Sequence, residues 1–104
     1  MNINMILNQY RFEWHHSKDI ANQAKHGISF QEAALLWRDA ESIEGPADVI
    51  ENEIRYVRVG SAILFSGEQK VIAVVFAYRE TVVRIISARS PRNYERESYE
   101  QGKE

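Results

Sequence analysis

From Val71 to Arg89 the chain reads VIAVVFAYRETVVRIISAR, two apolar runs joined by a short polar link and closed by a cation. Val71 to Ala77 is almost unbroken in strand-forming residues, the pattern of a strand covered on both faces, so it is placed at the centre of a sheet. Val82 to Ala88 is its expected partner, and the link from Tyr78 to Thr81 favours antiparallel pairing. Strict alternation puts Val83, Ile85 and Ser87 on one face and Val82, Arg84, Ile86 and Ala88 on the other. Arg84 then interrupts an apolar strand with a permanent charge. Such a group needs a carboxylate, water or a ligand, because an unpaired buried charge is costly.

Ahead of this hairpin the pattern is weaker. Residues 1–9 are expected to be a loose lead-in. Tyr10, Phe12 and Trp14 alternate with Arg11 and Glu13, which predicts a short strand with an aromatic face. Ser17 is placed as the cap of a helix through Lys25, with Ile20, Ala21 and Ala24 as a narrow apolar stripe and Gly27 as its left-handed stop. Ser29 and Glu32 form the capping-box pattern S-x-x-E and open a second helix containing Ala33, Ala34, Leu35, Leu36 and Trp37. Asp39 to Asn52 is acidic and holds Gly45-Pro46, so it reads as mainly loop with a brief edge strand near Ser42 to Glu44. Glu53 to Gly60 is a strand with Arg55, Val57 and Val59 on one face and Tyr56 and Arg58 on the other, and Ala62 to Phe65 is a further short strand or an apolar bend. Ser90 and Pro91 are placed as the cap and first residue of a final helix carrying Arg92, Tyr94, Arg96 and Tyr99, with a loose end at 101–104. The predicted fold class is α+β: two N-terminal helices packed on a small antiparallel sheet, with a C-terminal helix, in one domain spanning 1–104.

Composition narrows the partners. At 104 residues the chain supports a single core, and without cysteine it has neither disulfides nor thiol-bound metal. No segment reaches transmembrane length and no secretion signal is visible, so a cytoplasmic protein with no membrane contact is expected. The net charge of -2 hides a sorting of charge along the chain. Residues 1–54 hold four Lys/Arg against nine Asp/Glu, whereas 55–96 hold eight against three. A basic, strand-rich half suits a phosphate-binding face, and it also suits simple pairing with the acidic half.

The residues FEW at 12–14, KHG at 25–27, SFQEAA at 29–34, IRYVRVG at 54–60 and RIISAR at 84–89, in this order, resemble the BrnT toxin family, with RIISAR the most specific piece. The family commonly follows FEW with Asp, where this chain has His15. The resemblance implies a RelE-like fold and an endoribonuclease that cuts RNA without metal or other cofactor. It also implies a BrnA-like ribbon-helix-helix antitoxin, which forms a hetero-oligomer with the toxin and supplies its only contact with operator DNA.

Metal-free RNA cleavage needs a base for the ribose 2'-OH, a cation for the phosphorane charge and an acid for the leaving oxygen. The resemblance carries these roles onto Lys25, His26, Arg55, Arg79 and Arg89 as catalytic candidates, with Arg84, Arg92 and Arg96 as RNA contacts. Each has a plainer alternative. His26 and Lys25 suit the last turn of their helix, where they can hold its terminal carbonyls, Arg84 suits an internal ion pair, and Arg79 suits a solvated turn. Arg84 and Arg89 differ in strand parity, so only a bulge near Ser87-Ala88 brings them to one face. Arg89, beside the predicted helix start, is the first choice for an anion site, and Arg89→Ala is expected to slow cleavage about 10²-fold. Trp14 and Trp37 are assigned to the core. The histidine pair His15-His16 points to opposite faces and makes a zinc site improbable on spacing. The alternative function is a catalytically weak binding module acting as corepressor with its DNA-binding partner.

Overall fold

The computed structural model describes residues 1–102. Its centre is a six-stranded sheet formed by β1 (Asn2–Leu7), β2 (Tyr10–His15), β3 (Ile43–Ile50), β4 (Glu53–Ile63), β5 (Gln69–Arg79) and β6 (Val82–Arg89), in the spatial order β1-β2-β6-β5-β4-β3. β2 and β6 run parallel and all other neighbours antiparallel. This overturns the expected RelE-like arrangement of two N-terminal helices on a small antiparallel sheet. The sheet is large and mixed, and a β-hairpin precedes the first helix.

Two edge strands account for the difference. Residues 2–7 are paired along their whole length with β2, and residues 43–50 with β4. Neither stretch shows clean alternation, because an edge strand needs only one partner and half its side chains face water. Pro46 is tolerated there, and the pairing shifts register between Pro46 and Asp48. Ala62 and Ile63 extend β4 rather than forming another strand. The central run behaves as expected: Ile72, Ala73, Val74, Phe76 and Ala77 are fully buried.

Helix α1 (His16–His26) follows β2 directly, capped by His15, whose Nδ1 accepts from the Ser17 N–H, so the cap lies two residues before the expected Ser17. Gly27 ends it in the left-handed conformation at φ 72°, as expected. The expected apolar stripe faces out instead: Ile20 is 52% exposed and Asn22 is the buried residue. The sheet explains the exchange. β2 pairs with β6 only as far as Arg84, leaving the edge of later β6 that faces away from β5 without a strand neighbour. Asn22 takes that place, with Nδ2 donating to the Ala88 and Ile28 carbonyls and Oδ1 accepting from the Ala88 N–H.

The capping box forms as expected and opens α2 (Phe30–Ala34), which tightens into a 3₁₀ turn at Leu35–Arg38. The buried Glu32 carboxylate also accepts from the Phe65 N–H, so it pins the loop after β4. Phe30, Leu36 and Trp37 pack with Phe12, Trp14, Phe76, Val83 and Ile85 in the main core on one sheet face. Helix α3 (Asn93–Gly102) lies on the other face, where Tyr99 joins Val59 and Ala73. Of the loose end expected at 101–104, residues 101 and 102 close α3, and 103 and 104 lie outside the described residues. The Tyr99 hydroxyl donates to Asp39, whose carboxylate also accepts the Ser61 N–H at 2.9 Å, tying α3, β4 and the 3₁₀ turn together.

Candidate functional site

The sheet face opposite α2 carries four ordered rows, read across the strands from the pairing register, which places paired residues on the same face. Ile43, Val59, Ala73 and Arg89 form the first, and Gly45, Val57, Val75 and Ser87 the second. Extending the β4–β5 register past its last pair, Tyr56 and Phe76, brings Asp48, Arg55, Ala77, Arg84, Glu13 and Asn4 into the third, and Ile50, Glu53, Arg79, Val82, Arg11 and Ile6 into the fourth, where Arg79 and Glu53 form an ion pair across the two strands. Helix α3 covers the first two rows in part.

A bulge decides which arginines share this face. Val75 pairs with Ser87 but Phe76 pairs with Ile85, so Ile86 is the extra residue on β6. Up to Ile85 the expected alternation holds. Beyond the bulge it inverts, sending Ala88 into the core beside Val83 and Ile85 and turning Ser87 and Arg89 to the side of Arg84. Arg55, Arg79, Arg84 and Arg89 therefore emerge from one face.

Arg55 and Arg84 flank Ala77, which has no exposed surface although it lies on this face. Their backbones stand two strands apart, about 9.6 Å. Arg84 Nη1 meets Glu13 Oε2 at 2.6 Å and Asn2 Oδ1 at 3.2 Å. Arg79 meets Glu53 at 3.2 Å. Arg55 differs: it is half-buried, its Nε is sequestered, and among the described residues it has no hydrogen-bond or ion-pair partner. Asp48, its cross-strand neighbour, turns its carboxylate to the Val49 N–H.

Arg89 sits in different chemistry from that expected. Helix α3 starts at Asn93, and its first helical bond runs from the Arg96 N–H to the Arg92 carbonyl, so Ser90-Pro91 precedes the helix. The Glu95 carboxylate occupies the place foreseen for a phosphate. It accepts the Arg92 N–H at 2.7 Å and both Arg89 Nη atoms at 2.7 and 3.1 Å. Burial alone raises the pKa of Glu95, but these bonds outweigh it and hold the carboxyl below its ordinary range. Arg92 is exposed beside Tyr94, and Arg96 pairs loosely with Glu100 at 3.9 Å. Lys25 and His26 stand apart from the arginine rows. They end α1 on the far side of β6, and His26 lies one turn beyond Asn22 on the same side of the helix.

Two residues of this face were not nominated from the sequence. Arg11 is exposed in the row of Arg79. His15 follows Glu13 on the outward side of β2, opposite Asn2. The terminal ammonium, burial, Arg84, Lys18 and His16 all depress its pKa below the ordinary histidine value. The alternation of Tyr10, Phe12 and Trp14 carried the signal for both, since it sends Arg11, Glu13 and His15 outward together.

Residues 14–95 match the family described as the ribonuclease toxin BrnT of type II toxin-antitoxin systems. The chain belongs to the BrnT toxin family. A toxin of this type has an antitoxin partner, and the family is one of ribonucleases. No curated protein matches the chain. Within this BrnT-family chain, no described helix is long and apolar enough to cross a membrane.

Proposed function

We propose that this BrnT-family protein is a metal-independent endoribonuclease whose scissile phosphate lies over Ala77, between Arg55 and Arg84. The half-buried, unpartnered guanidinium of Arg55 carries this reading. A buried cation without a counter-ion is costly, and an RNA phosphate relieves that cost with charge-assisted hydrogen bonds. Arg84 is held in place by Glu13 and presents its remaining donors to the same phosphate, with Arg79 one row away. As negative charge builds on the phosphorane, fixed guanidinium groups stabilise it more than they stabilise the ground state. Lys25, His26 and Arg96, away from this row, are assigned to flanking RNA.

A BrnA-like ribbon-helix-helix antitoxin is proposed to cover this face and to supply the contact with operator DNA. The ion pairing of Arg79, Arg84 and Arg89 favours a second reading, a catalytically weak RNA-binding or corepressor module, because paired arginines have less charge to give a transition state. Cleavage of a short RNA by purified protein decides between them. The ribonuclease reading expects cutting that persists in EDTA, and a loss of about 10²-fold in kcat/KM for Arg55→Ala at unchanged Tm. Cutting abolished by EDTA removes the metal-free mechanism. An Arg55→Ala variant as active as wild type removes Arg55 from the site.

A further inference from the structure

The uncovered face does not end at the arginine row. Between α3 and β3 it sinks into a groove of about 290 Å³ lined by Gly45, Pro46, Val57, Val59, Arg92 and Tyr94. We propose that this groove is a nucleobase subsite, holding the base of the nucleotide next to the phosphate cradled by Arg55 and Arg84. The proposal rests on the ribonuclease reading for its substrate class and on the groove for its place.

Three observations support it. The floor continues the arginine row, because Val57 and Val59 follow Arg55 on the same side of β4, so the groove starts one row away, about 6.7 Å along the strand. Gly45 lies opposite Val57 in the middle of β3, and a Cβ built there meets nothing within 4 Å. A glycine inside a strand weakens it without packing return and marks a place where another group approaches the backbone closely. Here it keeps the floor clear.

The walls suit a base. Tyr94 stands 61% exposed on the first turn of α3, offering an aromatic face, and Arg92 adds a planar cation. Single-stranded RNA is held by stacking on such groups over an apolar surface. The carboxylates at the rim are engaged, Glu95 by Arg89 and Glu44 by Arg58, and the exposed Arg92 guanidinium, beside the Tyr94 hydroxyl at 3.5 Å, forms no ion pair among the described residues. The volume lies near the lower limit for small-ligand sites, about 300 Å³, which fits one base rather than a stack of them.

Gly45→Leu tests the subsite by filling it, since the new side chain enters open space at a backbone conformation that leucine adopts. The full chain, labelled with ¹⁵N, is titrated with a nucleoside 5'-monophosphate and separately with inorganic phosphate. The nucleotide is expected to shift the Gly45, Val57 and Tyr94 amides, phosphate alone is not, and Gly45→Leu abolishes the shifts while Tyr94→Ser weakens them. On a short RNA, Gly45→Leu is expected to raise KM tenfold or more, yet to match wild type on a substrate abasic at the position beside the cut. Nucleotide shifts at the groove in a protein that cuts no RNA uphold the subsite and sink the ribonuclease reading. Shifts elsewhere, shifts reproduced by phosphate, or a groove that takes an antitoxin segment and no nucleotide overturn the subsite.

Discussion

Arg89→Ala separates two accounts of the same residue. From sequence, Arg89 stands at a helix start and its loss costs catalysis. In the structure its guanidinium is spent on Glu95, and its loss costs stability. Glu95 is 4% exposed and accepts three hydrogen bonds, two from Arg89 and one from the Arg92 N–H. Breaking a fully buried ion pair by removing one partner costs about 3–5 kcal/mol. The surviving Arg92 bond and the nearness of water, with the Arg89 side chain itself 20% exposed, bring the expected loss to about 2–3 kcal/mol. For a domain of this size that lowers Tm by roughly 10–20 °C. Glu95→Ala combined with Arg89→Ala should be less harmful than the sum of the single changes by about 1–3 kcal/mol, because the second substitution removes a charge already left unpaired. The pH dependence follows from the depressed pKa of Glu95. Its ionised form is favoured in the fold, so the pair contributes fully above the unfolded-state pKa, and the contribution is lost as pH falls through the folded-state value. Thermal melts of wild type and Arg89→Ala should therefore converge at acid pH. An Arg89→Ala protein that melts within about 2 °C of wild type, with cleavage reduced 10²-fold, refutes this account and returns Arg89 to the chemistry.

Other substitutions probe single devices of the fold and site. Asn22→Leu strips the β6 edge of its substitute strand partner and leaves the Ala88 N–H and carbonyl unpaired, so denaturant titration should show a loss of about 2–4 kcal/mol. Gly60→Ala places a Cβ 2.7 Å from Ser42 Cβ and 2.9 Å from Leu36 Cδ1, and should lower stability by about 1–3 kcal/mol in the same assay.

Covering both faces of Val71–Ala77 takes a core strand in any fold this chain could adopt, so its central place was legible from hydrophobicity alone. The antiparallel hairpin, the Ser29–Glu32 capping box, the Gly27 stop and the buried tryptophans were legible for the same kind of reason: each is set by residues a few positions apart or by a side chain too apolar to expose. RIISAR and the segments around it carried the family. Tertiary structure decided what depends on a partner distant in sequence. Residues 2–7 and 43–50 become strands because β2 and β4 offer open edges, and α1 buries Asn22 instead of Ile20 because β6 outruns β2. The arginines were visible in the sequence, but which are free was not. One inserted residue, Ile86, turns Arg89 to the side of Arg84, and Glu13, Glu53 and Glu95 then claim three of the four cations. An alternating pattern records which way a side chain points only until the register slips, and no pattern records the carboxylate waiting across the sheet. Arg55 is left half-buried and unpartnered by that accounting, which only the assembled sheet could make.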